Sequence, residues 1–300
     1  MSNPQLTIAL NLGTLLNLPE WSEAPRGQSE IIAKALVAEG YQAVQGTDDR
    51  AFAAAGLVTY GSGSVHEPHE ALQVLGHQQA IGHAATTLHV GTGFEDEEEG
   101  VALLQAIVEA SEQLGHPAYI ETHRATVTQD IWRTLQWIKR VPNIRFNADF
   151  SHWYTGLEMP YGNFNRKLDQ MAPIFDRVRF IHGRVGNGCS MQVSVAPGTR
   201  GELHLASFVE MWRRCFDAFL LQGGDRSIVF APELLPAWVG PQRGSNFIDY
   251  ASTFVDAFGV EQEFSDRWVE AKILSEAARR SFELAKAANE PSLLQRLRAL

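Results

Sequence analysis

Short apolar runs alternate along this chain with longer amphipathic stretches. The runs "LTIALNLG" (6–13), "YQAVQG" (41–46), "GLVTYGSG" (56–63), "TTLHVGTG" (86–93), "AYIETH" (118–123), "IRFNADF" (144–150), "VRFIHGR" (178–184) and "SIVFAPELL" (227–235) have the length and apolar content of buried strands. Between most of them lie segments such as "SEIIAKALVAEG", "GVALLQAIVEASEQLG", "TQDIWRTLQWIKR" and "LASFVEMWRRCFDAFLLQGG". Their apolar residues recur near helical spacing, often with glycine past the end. Strands alternating with helices predict an α/β fold with a parallel sheet, and closure at eight strands gives the (β/α)8 TIM barrel. A doubly wound open sheet is the alternative. No linker or shift of composition divides the chain, so a single domain over 1–300 is expected. It ends in a C-terminal helical extension (260–300) containing "SDRWVEAKILSEAARRSFELAKAA", which would pack on the barrel or on a neighbouring subunit.

Successive strand side chains point to opposite faces. In 144–151, Ile144, Phe146, Ala148 and Phe150 share one face, while Arg145, Asn147, Asp149 and Ser151 share the other. The apolar face would meet the helices. The polar face would then point into the barrel, with Asp149 near the C-terminal mouth, where barrels place their chemistry. Three other runs end alike, carrying Glu121, His182 and Glu233. Taken singly, such a residue is equally well a helix cap or a surface charge. Taken together, three carboxylates and an imidazole form a hard O/N donor set suited to Mn²⁺, Mg²⁺ or Co²⁺, with Zn²⁺ also accommodated. Without a cation the carboxylates would repel one another.

Composition removes several alternatives. The net charge of −10 leaves no electrostatic footprint for a nucleic-acid backbone. No apolar run approaches the roughly 20 residues of a membrane span, and "MSNPQLTIAL" lacks the pattern of a secretory signal. A cytoplasmic location with no membrane or nucleic-acid partner is expected. The two cysteines, Cys189 and Cys215, make neither a disulfide framework nor a zinc motif. In "GTGFEDEEEG" the phosphate-loop spacing is absent, and the acids suit the first turn of a helix.

The order Glu121, Asp149-x-x-His152, His182, Glu233 at successive strand ends resembles the xylose isomerase-like (β/α)8 superfamily. The likeness is greatest to its sugar isomerase and 3-epimerase branch, with the apurinic endonucleases as relatives. It spans essentially the whole chain and is clearest over 88–235. The resemblance implies that Glu121, Asp149, His182 and Glu233 hold one divalent ion, Mn²⁺ being the first choice, and that His152 touches substrate. It further implies an isomerase or epimerase acting on a small carbohydrate or polyol-derived compound. Glu121 and Glu233, on opposite sides of the carbon next to a carbonyl, would remove and return a proton through a metal-stabilised enediolate. Dehydratases of the family expel a β-hydroxyl or glycosidic oxygen from the same enolate, so a lyase is the alternative; a non-catalytic ligand-binding barrel is another. The chain departs from the epimerases after His182. They carry a glutamate and then an arginine six positions on, whereas "HGRVGNG" has Arg184 two positions on and no such glutamate. It also lacks the Asp-x-His pair of the three-metal endonucleases.

Other residues fall near the same mouth. Arg184 would hold a hydroxyl or carboxylate of substrate, or else pair with a metal ligand. His123 and His89 lie on inward positions of their strands and are candidate substrate contacts, whereas His66 and His69 read as loop residues. Trp153 is a further candidate contact and, with Tyr154, Trp238 and the glycine-rich stretch 186–201, would form the rim. That stretch is expected to close over the mouth. Association of copies through the C-terminal helices is also expected.

Overall fold

All eight apolar runs form strands that close into one parallel barrel in sequential order. The computed structural model describes residues 4–223, 227–238 and 249–289. The strands are β1 (Gln5–Asn11), β2 (Ala43–Gln45), β3 (Val58–Val65), β4 (Thr86–Val90), β5 (Ala118–Glu121), β6 (Phe146–Ala148), β7 (Val178–Gly183) and β8 (Ser227–Pro232). β1 pairs with β8 from Gln5 opposite Ser227 to Ile8 opposite Phe230, which excludes an open doubly wound sheet. Helices α1 (Ser29–Ala38), α2 (Arg50–Ala54), α3 (Ala71–Ile81), α4 (Glu97–Leu114), α5 (Ile131–Arg140), α6 (Ser151–Gly156), α7 (Phe164–Gln170), α8 (Ala172–Phe175), α9 (Glu202–Gln222) and α10 (Arg267–Asn289) accompany them. A short antiparallel hairpin, β9 (Thr253–Val255) with β10 (Glu261–Glu263), precedes α10. The C-terminal extension is therefore helical only from Arg267, and 290–300 lie outside the described residues. α10 packs on the barrel, against α9, β8 and β1.

Local chemistry explains the boundaries. Asp96 caps α4 by accepting from the backbone N–H of Glu98 and Glu99, both at 2.9 Å, and Glu99 reaches back to the Asp96 N–H. The acidic run after β4 is thus a capping box and first helical turn. The buried Arg267 at the start of α10 donates to Glu263 Oε2 (2.7 Å) and to the carbonyls of Thr14, Leu16 and Leu234. It thereby ties the loops after β1 and β8 together beside the mouth. Among the described residues no helix is long and apolar enough to cross a membrane.

The strand alternation divides the core into two. Outward residues such as Ile8, Leu10, Phe146, Ala148, Ile181 and Phe230 join the large cluster beneath the helices. Ala9, Ala43, Tyr60, Ala85, Phe180, Val229 and Ala231 form a smaller cluster with Tyr119, the apolar layer inside the barrel. Further along the inward face, six of the strands carry polar residues: Asn11, Gln45, Thr87, Glu121, Asn147 and His182. A register shift between β6 and β7 sets Asn147 opposite Phe180 and Ala148 opposite Ile181, so both strands present their polar groups inward together.

Candidate metal centre

Glu121, Asp149, His182 and Glu233 come from the C-terminal ends of β5, β6, β7 and β8, and one ligand atom from each lies within 4.8 Å of the others. Asp149 follows β6, and its Oδ1 accepts from the Ser151 N–H (3.0 Å) and Oγ (2.6 Å). Glu233 follows β8, its N–H directed to the Gly183 carbonyl at 3.3 Å. Gly183 has no room for a side chain, since a Cβ there would meet the Phe230 ring at 2.4 Å. This close approach keeps β8 against β7 between the inward-facing His182 and Arg184.

A chain of hydrogen bonds sets the orientation of the imidazole. Asn11 Oδ1 accepts from the Gly13 N–H (2.8 Å), so Asn11 Nδ2 is the end that donates to Glu233 Oε1 (2.8 Å) and Gln45 Oε1 (3.1 Å). Gln45 Nε2 in turn donates to Thr87 Oγ1 (2.7 Å). Gln45 Oε1 can then only accept, and it lies 2.8 Å from His182 Nε2, which must carry a proton. In neutral His182 the lone pair is therefore on Nδ1, which is 3.4 Å from both Glu121 Oε1 and Glu233 Oε2. Asn147 Nδ2 holds the other Glu121 oxygen at 3.0 Å.

The electrostatics are those of a concentrated charge cluster. Burial pushes the Glu121 carboxyl up, but His182 and His89 outweigh it and hold it well below the usual carboxylate range. Burial likewise opposes ionisation of Asp149, and Arg184 and His152 overcome it, lowering its pKa. For His182, burial pulls down while Glu233 and Glu121 raise the pKa to about 9. Arg184 is fully buried and pairs with Asp149 Oδ2 and, at 3.0 Å, with Glu233 Oε2, while its guanidinium lies 5.1 Å from the Tyr250 ring. Of the two positions expected for Arg184, the structure shows the pairing with the carboxylates of Asp149 and Glu233.

The remaining candidates separate into two groups. His152 is buried 3.4 Å from Asp149 Oδ2, with its Nδ1 unpartnered, and its ring lies 3.9 Å from that of His123. His123 in turn lies 4.3 Å from the His89 ring, so three imidazoles line one side of the mouth. Burial, reinforced by His152, lowers the His123 pKa to about 3. Trp153 requires a correction. It has no exposed surface, packs in the cluster beneath the helices beside Phe150, and donates from Nε1 to the Thr128 carbonyl (2.8 Å). Tyr154 is similarly buried, with its hydroxyl 2.9 Å from His204 Nδ1. Both belong to α6, whose helical turn directs them into the core and away from the rim. Trp238 is half-buried after β8.

The glycine-rich stretch 186–201 is tied down along its middle. Gln192 exchanges two 2.8 Å hydrogen bonds with the Leu235 backbone. The buried Glu270 of α10 accepts from the N–H groups of Val195 (2.9 Å) and Ala196 (3.2 Å) and from Ser194 Oγ. Sequence reasoning passed over Asn11, Gln45 and Thr87. Their signal was available, because the alternation that places Glu121 inward also places Asn11 and Gln45 inward at the ends of β1 and β2.

This donor set fits a divalent ion. A four-coordinate ion with bonds of about 2.0–2.1 Å spaces its ligands about 3.3 Å apart, and the His182–Glu121 and His182–Glu233 separations are 3.4 Å. A carboxylate offers about four lone-pair sites, so Asp149 and Glu233 can keep Arg184 and still coordinate.

No family model and no curated protein matches this sequence. Solved structures do match in fold. A xylose isomerase-like TIM barrel protein from Mycobacterium smegmatis in complex with magnesium aligns at a TM-score of 0.53 and 11% identity, over 92% of this chain and 97% of its own. A D-tagatose 3-epimerase-like protein gives 0.53 and 11%, over 92% and 98%. The probable 3-DHS dehydratase AsbF from Bacillus anthracis, involved in petrobactin synthesis, gives 0.51 and 13%, over 76% and 92%. The chain thus shares the TIM-barrel fold of these three proteins.

Proposed function

We propose that this protein is a divalent-metal-dependent isomerase or epimerase of a sugar or sugar-derived keto compound, working by proton transfer at the carbon next to the carbonyl. The observation that carries this reading is the convergence of Glu121, Asp149, Glu233 and the Nδ1 of His182 within 4.8 Å at the barrel mouth. Support comes from the fold shared with a D-tagatose 3-epimerase-like protein and with a magnesium-bound barrel. Three oxygens to one nitrogen suit Mn²⁺ best, with Mg²⁺, Co²⁺ or Zn²⁺ able to substitute. When bound, the ion supplies a Lewis acid for the charge that develops on the carbonyl oxygen.

The chain's own residues do the rest. Glu121 and Glu233 reach in from β5 and β8 on either side of His182, so one takes the proton and the other returns it. The depressed Glu121 pKa keeps that carboxylate ionised at neutral pH. Arg184 fixes Asp149 and Glu233 from behind. His152, with His123 and His89, forms the wall that orients a small carbohydrate or polyol-derived substrate. The natural setting of such an enzyme is the cytoplasm, with the C-terminal helix α10 as the surface through which copies would associate.

Elimination is the second reading, favoured by the buried, unpartnered Nδ1 of His152, a group able to pass a proton to a departing oxygen. His152→Ala separates the two. If His152 orients substrate, solvent-deuterium exchange into substrate and turnover fall together. Exchange that survives while product formation stops would favour elimination.

A further inference from the structure

Beside the four-residue cluster, His89, Glu121 and His123 bring a second set of ligand atoms within 4.8 Å of one another. His89 Nε2 lies 3.4 Å from Glu121 Oε1, long for a hydrogen bond but equal to the spacing that His182 keeps from the same oxygen. His123 Nδ1 lies 2.5 Å from the Arg124 carbonyl oxygen. A carbonyl can only accept, so Nδ1 carries the proton and the neutral ring has its lone pair on Nε2. The end of β5 is braced, because Thr128 Oγ1 donates to the Glu121 carbonyl (2.5 Å) and accepts from the His123 N–H (3.2 Å). The His89 side chain remains 45% exposed, which leaves one side of the group open to the mouth.

We propose that His89, Glu121 and His123 form a second divalent-cation site, sharing Glu121 Oε1 with the first. Two imidazoles and one carboxylate make a nitrogen-rich set, better matched to Zn²⁺ or Co²⁺ than to Mg²⁺. Three protein ligands with an open side is the pattern of a site that keeps a position for water or a substrate oxygen. The second ion would lie on the imidazole wall and select substrates with a further oxygen able to reach it. The inference rests on the first reading only for the location of the shared glutamate.

The test is a metal count. Protein freed of metal is dialysed to saturation with Zn²⁺, Co²⁺ or Mg²⁺ separately, passed rapidly over a desalting column and analysed for ion per chain. The expected result is two Zn²⁺ or Co²⁺ but one Mg²⁺ in the native protein, and one Zn²⁺ in His89→Ala/His123→Ala. One Zn²⁺ in both proteins overturns the second site and leaves the first intact. One in the native protein and none in the variant overturns the shared arrangement. No retained ion in the native protein overturns the metal-dependent function as well. The native Co²⁺ titration decides the number by itself, through separate absorption changes for the first and second equivalents, should the variant fail to fold.

Discussion

The two halves of the barrel meet the mouth with different chemistry. β1, β2 and β4 contribute Asn11, Gln45 and Thr87, neutral groups that hydrogen-bond to one another. β5 to β8 and the residues that follow them contribute Glu121, Asp149, His182, Arg184 and Glu233. The charged half could not stand alone, because a buried ion pair is favourable only when its remaining lone pairs and protons are also satisfied. The neutral half supplies that: Asn11 holds Glu233, and Gln45 fixes His182. On the proposed function, reactivity is concentrated in one half and orientation in the other, so mutations should have unequal and distinguishable effects.

The largest effect is expected in the charged half. Glu121→Gln and Glu233→Gln, assayed with excess metal, should each lower turnover by about 10²–10⁴-fold, the usual contribution of a positioned acid or base. Steady-state rates alongside the ion content of each variant would check this. Next comes Asp149→Asn, which removes one of the two carboxylates that pair with the buried Arg184. Breaking a buried pair costs about 3–5 kcal/mol, to be read from denaturant unfolding of metal-free protein. Gln45→Ala in the neutral half should leave the fold intact and weaken metal binding by about 10–100-fold, measured by competition with a chelating dye. Equal losses of turnover from Gln45→Ala and Glu121→Gln would erase the distinction between the halves.

A smaller effect follows from His182. Its pKa is raised to about 9, above an unfolded value of about 6.5. In metal-free protein the stabilisation from its charged form is therefore fully present below about pH 6.5 and is lost as pH rises through about 9. The melting temperature in chelator should fall over that interval. A metal ion competes with the proton for Nδ1, so metal affinity should climb over the same interval.

Much of this architecture was legible in the sequence because a single rule, alternation along a strand, places both core and chemistry. The same count that sends Phe146 and Ala148 outward sends Asn147 and Asp149 inward. The rule fails where the strand ends. Trp153, four residues past Asp149, obeys the helical period of α6 and turns into the core. The roles of Asn11 and Gln45 emerge only on closure, which joins Asn11 to Glu233 across 222 residues and Gln45 to His182 across 137. The hairpin of β9 and β10 gave no clear signal, since Phe254, Val255 and Phe258 there are apolar yet exposed.

The central claim is that the cluster at the ends of β5 to β8 drives metal-dependent enolisation. Proton NMR in D₂O of a panel of keto sugars, incubated with native protein in the presence or absence of Mn²⁺ and freed of the ion before recording, tests it most directly. The account predicts deuterium incorporation next to the carbonyl of at least one sugar, only with the ion, and none with Glu121→Gln/Glu233→Gln. Incorporation that persists in that double variant, or its absence from every sugar while the native protein holds its ion, would contradict it.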